Sequence, residues 1–179
     1  ILPADTEGKI GMMWFKHGLV SWGDTAKQAY DRLMTLATQA EEWVERRPLF
    51  AVPTPTPSAT PRRAEIARLR HHISQVAGVP MIIRRSAHQL AAGLVLHDRV
   101  ADLTGRGTMT PDHVIRTKRT PMIGRDVEGY AAAYREYFAR HAPRSPEPLT
   151  MLDPAPRVIL DAELGLLTVG RTGKDAALA

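Results

Sequence analysis

The chain has 179 residues, enough for one ordinary domain or two small ones, and 44% of them are apolar, the share expected of a protein with a core. It has no cysteine, which excludes disulfides and thiolate metal sites and fits a cytoplasmic protein, and no apolar run approaches the roughly 20 residues of a membrane span. The net charge of +5 permits a polyanion partner, but the basic residues are scattered from Arg46-Arg47 to Arg116 and Arg119 with few aromatics among them, so a solvated basic surface is expected and nucleic-acid binding is not.

In chain order, an apolar run over residues 12–15 ends in Lys16-His17-Gly18, and a second runs to Gly23. Asp24-Thr25 then opens an amphipathic stretch. This predicts strand, tight turn, strand and helix. Ala26, Ala29, Tyr30, Leu33, Ala37, Ala40, Trp43 and Val44 recur at helical spacing, Thr25 with Gln28 makes a capping box, and Pro48 ends the helix. Residues 51–61 are proline-rich, the composition of a semi-rigid linker. A second helix is expected with Thr60 as N-cap, Pro61 in its first turn, an apolar face of Ile66, Leu69, Ile73 and Val76, and its end at Gly78.

Residues 79–83 read as a buried strand, 86–94 as a short helix, 98–110 as a glycine-containing loop and 114–117 as another strand. Asp126 caps a helix with Val127, Tyr130, Ala131, Tyr134 and Phe138 facing inward. A proline-rich loop over 143–156 leads to two short strands, 157–160 and 166–169, around a glycine turn. Short strands alternating with capped helices predict an α/β fold. Residues 79–179 should form a small mixed sheet flanked by helices near 62–77 and 126–141, with the hairpin at Gly165 inside it.

Three features carry candidate chemistry. His17 stands at a glycine turn, where an imidazole serves either as one zinc ligand or as a hydrogen-bonded structural residue. Arg116 and Lys118, beside His113, would share a face with Val114 on a strand and present two cations to a phosphate or carboxylate, or else belong to an interface or ion-pair strand. The third feature is an internal repeat. Residues 18–29 align without a gap on 165–176, both glycines, Leu, Thr, Lys and Ala coinciding, and Leu164 takes the position of His17. Duplication and a chance recurrence of a common hairpin both account for it. His71-His72 point about 100° apart on a helix and are given no role. Gly105-Arg106-Gly107 and residues 170–173 match neither a P-loop nor a dinucleotide fingerprint.

His17-Gly18-Leu19-Val20-Ser21-Trp22-Gly23-Asp24-Thr25-Ala26-Lys27-Gln28-Ala29-Tyr30-Asp31-Arg32, with Thr110 to Lys118 and Pro154 to Asp161 downstream, resembles the class II aldolase/adducin family. Within it, the chain is similar to the branch that joins a rhamnulose-1-phosphate aldolase-like region to a short-chain dehydrogenase. The resemblance implies that His17 is the last zinc-binding histidine, and that the family's His-x-His-Pro-Asp and its acid/base glutamate lie upstream of this chain. Residues 108–112, with threonine at both ligand positions, echo that upstream motif and imply a second module that has lost its metal.

The domains expected are therefore 1–50, the C-terminal part of an aldolase-like domain; 51–61, a linker; and 62–179, a second, metal-less aldolase-like module. The implied parent is a cytoplasmic homo-oligomer that cleaves a ketose 1-phosphate to dihydroxyacetone phosphate and lactaldehyde. Zinc would act as a Lewis acid, and NAD would serve only the fused dehydrogenase. Residue 1 is Ile and a helical pattern has just begun at Lys174, so the chain reads as an internal piece of that longer protein. A non-catalytic assembly module of the same superfamily is the alternative.

Overall fold

The apolar runs on either side of His17-Gly18 do form a hairpin, in a computed structural model that describes residues 7–47 and 62–179. Strands β1 (Gly11–Trp14) and β2 (Gly18–Ser21) pair antiparallel, Gly11 opposite Ser21 and Trp14 opposite Gly18. The chain reverses through Lys16 in a left-handed conformation, φ 66°, and the His17 N–H donates to the Trp14 carbonyl at 2.9 Å. Helix α1 (Ala26–Glu45) follows, its first turn capped by the Thr25 hydroxyl, which accepts the Gln28 N–H. The reciprocal half of the expected capping box is displaced by one residue, because the Gln28 side chain accepts from the Asp24 N–H at 2.6 Å instead of from Thr25. No residue from 7 to 47 is fully buried, and Met13, Phe15, Tyr30 and Trp43 are exposed. Residues 51–61, with the predicted linker and the Thr60 cap, and Pro48 lie outside the described residues.

The larger unit, of which residues 62–108 and 112–179 are described, is built on a mixed sheet. Helix α2 (Arg63–Ala77) ends where predicted, at Gly78 with φ 70°. Then come β3 (Ile82–Arg85), α3 (Gln89–Val95), α4 (Val100–Gly105), α5 (Pro111–Thr117), β4 (Met122–Ile123) and α6 (Val127–His141). The order closes with a 3-10 turn (Ala142–Arg144), β5 (Val158–Asp161), β6 (Gly165–Gly170) and α7 (Gly173–Leu178). The strand order is β3-β6-β5-β4, antiparallel except for β4 beside β5. Leu69 and Ile73 of α2 and Val127 of α6 meet Met81, Met122, Ile159, Leu167 and Val169 in the core. The fold is thus mixed α/β with helices and two sheets, and the β5–β6 hairpin occupies the middle of the larger one, as its pattern predicts.

Three local expectations are corrected. Residues 114–117 are not a strand but the end of α5, because Pro111 and Asp112 make a favourable first turn and the Thr117 hydroxyl bonds back to the His113 carbonyl at 3.0 Å. Arg116 and Lys118 therefore share no strand face. The buried strand near 79–83 begins only at Ile82, after Pro80, which has no N–H to give a ladder. The loop at 98–110 holds α4. No helix among the described residues is long and apolar enough to cross a membrane.

Candidate functional site

His17 is held by the hairpin turn that precedes β2 and is exposed. Its ring stacks on Trp14, centroids 4.7 Å apart and planes 18° from parallel, and its Nδ1 lies 3.3 Å from the Phe15 carbonyl. In the tautomer that carries its proton on Nδ1, this contact is a hydrogen bond and Nε2 is the nitrogen left to ligate. Among the described residues, no group of three or more His, Asp or Glu could hold a metal ion. The described residues alone therefore do not bring together a zinc site. His17 can supply one imidazole to a site completed by other residues.

Arg116 and Lys118 are not brought together. Arg116 is exposed on α5. Lys118 follows the helix in a left-handed conformation, φ 61°, and is only 5% exposed. Its ammonium donates to the Asp153 carbonyl and stands 3.8 Å over the Tyr134 ring. Burial, with the Arg157 guanidinium nearby, lowers its pKa to about 8, against the opposing pull of Asp153. Asp153 and Arg157 form a bidentate pair with contacts of 3.0 and 2.5 Å, and Ala155 N–H adds a third bond to the carboxylate. Burial raises the Asp153 carboxyl, but Arg157 and Lys118 outweigh it, so it is held below its ordinary range. Beside this cluster, burial pushes the Tyr130 phenol up to about 12, and its O–H donates to the Thr120 carbonyl at 3.0 Å.

Sequence reasoning missed this cluster. Tyr130, Tyr134 and Tyr137 follow one another along one face of α6, a spacing that reads as core until Arg119 is found over the Tyr137 ring at 5.8 Å. It also missed the Arg125 network. The Arg125 guanidinium donates to Asp161 at 2.7 and 3.0 Å, to Glu163 at 2.6 Å and to Glu65 at 2.7 Å. Asp161 also accepts the N–H groups of Glu163 and Leu164, which closes the β5–β6 turn.

The two hairpin–helix segments have matching geometry. Trp14 faces Gly18 and Asp161 faces Gly165; Ser21 opposes Gly11 and Thr168 opposes Val158. The Ser21 hydroxyl donates to the Ala29 carbonyl at 2.6 Å, and the Thr168 hydroxyl to that of Ala176 at 2.5 Å. Thr25 and Thr172 cap the helices that follow, each accepting an N–H at 3.1 Å. A Cβ on Gly23 would come within 2.8 Å of the Ala29 nitrogen, and one on Gly170 within 2.3 Å of the Ala176 nitrogen, so both junctions need glycine. At the position of His17 the second hairpin carries the buried Leu164.

The family described as "Aldolase class II, second domain" matches residues 61–179. The chain is also similar to a protein of Bacillus subtilis (strain 168) described as "Uncharacterized oxidoreductase YuxG", 24% identical over 190 residues. That likeness takes in 88% of this chain and 26% of the relative, so the chain spans about a quarter of the relative's length. No solved structure matches.

Proposed function

The chain belongs to the class II aldolase family, through its second domain, and from that premise we propose that it is part of a zinc-dependent aldolase cleaving a ketose 1-phosphate of the rhamnulose 1-phosphate kind. The products would be dihydroxyacetone phosphate and lactaldehyde, in a cytoplasmic homo-oligomer whose fused short-chain dehydrogenase, using NAD, oxidises the aldehyde. The observation that carries the reading is His17, exposed at a glycine turn with its ring stacked on Trp14 and Nδ1 beside the Phe15 carbonyl. The description of the relative as an oxidoreductase four times as long supports a fused dehydrogenase.

On this reading residues 1–50 are the end of the catalytic domain, 51–61 the linker and 62–179 a second module without metal. The exposed Met13, Phe15, Tyr30 and Trp43 are apolar surface that the remainder of a larger domain would cover. A duplicated origin for the second module is supported by the matching hairpin contacts and by threonine at positions 108 and 110. Bound zinc would supply Lewis acidity toward the ketose oxygens. His17 would orient the ion through its stacked, hydrogen-bonded ring. Arg116 and Lys118 remain the substrate-binding candidates of this piece, Arg116 as the exposed one.

The test uses the full-length parent. Elemental analysis should find about one zinc per chain, and His17→Ala should remove most of it and lower turnover in a coupled aldehyde assay at least about a hundredfold. Unchanged zinc and unchanged turnover would take His17 out of the site. A parent with neither zinc nor aldolase activity would instead favour a non-catalytic assembly module of the same superfamily.

A further inference from the structure

Between α6 and the segment after α5 lies a cleft of about 160 Å³, lined by Arg119, Thr120, Tyr130, Ala133, Tyr134 and Tyr137. That is below the roughly 300–1,000 Å³ of a site for a drug-sized ligand, the scale of a small acid and not of a nucleotide. Two of its rings already carry a cation. Lys118 stands over Tyr134, while Tyr137 has Arg119 above it and the His141 ring 4.6 Å away. What the cleft offers a small ligand is hydroxyl groups and charge.

Both are available. Among the described residues neither the Tyr134 nor the Tyr137 hydroxyl has a hydrogen-bond partner, and the exposed Arg119 makes no ion pair. Arg119 is the charged side chain among the lining residues, and Lys118 and Arg157 lie nearby with the carboxylate of Asp153. That carboxylate is already saturated by Arg157, so it does not neutralise Arg119. A cation with no carboxylate partner among the described residues, beside two hydroxyl donors, is an arrangement complementary to an oxyanion.

We propose that this cleft is a binding site for a small oxyanion, a carboxylate or phosphate monoester, held by the Arg119 guanidinium and by the Tyr134 and Tyr137 hydroxyls. The site does not depend on the metal reading of His17. Tyr130 takes no direct part; its hydroxyl, donated to Thr120, fixes one wall.

Amide NMR of the whole chain, titrated with inorganic phosphate and separately with acetate, tests it against chloride at equal ionic strength. Saturable shifts confined to residues near 119 and 130–137 are expected with one probe or both, and which probe saturates tells phosphate from carboxylate. Arg119→Met should weaken that binding about tenfold, and Arg119→Lys, which keeps the charge, by less. Tyr134→Phe combined with Tyr137→Phe should weaken it several-fold with the thermal midpoint little changed. Shifts that stay linear with both probes and match those of chloride would overturn the proposal. So would unaltered affinity in Arg119→Met, whose exposed side chain can be replaced without disturbing the core.

Discussion

Lys118 concentrates several unusual conditions in one residue. A non-glycine backbone in the left-handed region is itself strained, and the ammonium above it is withdrawn from water. Both are tolerated because the group bonds to the Asp153 carbonyl and faces the Tyr134 ring, which ties the proline-rich loop to α6. Folding favours release of its proton at about 8, whereas the unfolded side chain holds it to 10.5. Between those values the unfolded state binds more protons, so stability rises with pH through that window, and below about 8 the burial penalty is fully present. The unfolding free energy of the protein relative to Lys118→Met should therefore increase by roughly 1–2 kcal/mol from pH 8 to about pH 10 in urea titrations, and a flat difference would show that the proton leaves elsewhere. The sequence marks Lys118 as a notable cation but cannot give its setting, since Asp153 and Tyr134 are distant in the chain. His17 differs in this respect: the turn that holds it is made of adjacent residues, and it was legible.

At the scale of elements, the hairpin-to-helix junction is where the chain has least room. Gly170 has an ordinary backbone, so what demands glycine there is the approach of the α7 backbone, with the Ala176 nitrogen 2.3 Å from any added Cβ. Gly173, three residues on, has nothing within 4 Å. Gly170→Ala should lower the unfolding free energy by about 2 kcal/mol or more through overpacking, whereas Gly173→Ala should be neutral or raise it by up to about 1 kcal/mol through helix propensity. Chemical denaturation of the two variants side by side checks this, and equal effects would count against the tight junction. The α2, α6 and β5–β6 elements were legible because their apolar spacing and caps are local signals. α5 was misread because Val114 and Ile115, a β-branched pair, look like strand while Pro111 and Asp112 set a helix. β4 is two residues long and exists only through its pairing with β5, which no local pattern announces.

Across the whole molecule, burial is distributed very unevenly. The core of Leu69, Ile73, Met81, Met122, Val127, Ile159, Leu167 and Val169 lies wholly in the family-matched part, while residues 7–47 contain no fully buried side chain. A segment covering 62–179 should accordingly fold alone, giving helical and strand circular dichroism and a cooperative urea transition. A broad, non-cooperative transition would show that it needs the rest of the chain. The long-range ion pairs of Arg125 with Glu65, Asp161 and Glu163 belong to this scale too, and were invisible in the sequence because they join positions far apart. The same uneven partition has an optical consequence. All three tryptophans, Trp14, Trp22 and Trp43, belong to the hairpin and first helix, whereas Tyr130, Tyr134 and Tyr137 line the cleft of the sheet domain. Light absorbed only by indole is therefore emitted from the first segment alone, and the sheet domain is dark in that channel. An emission spectrum that stays constant through a melt says nothing about whether the aldolase-family domain is still folded.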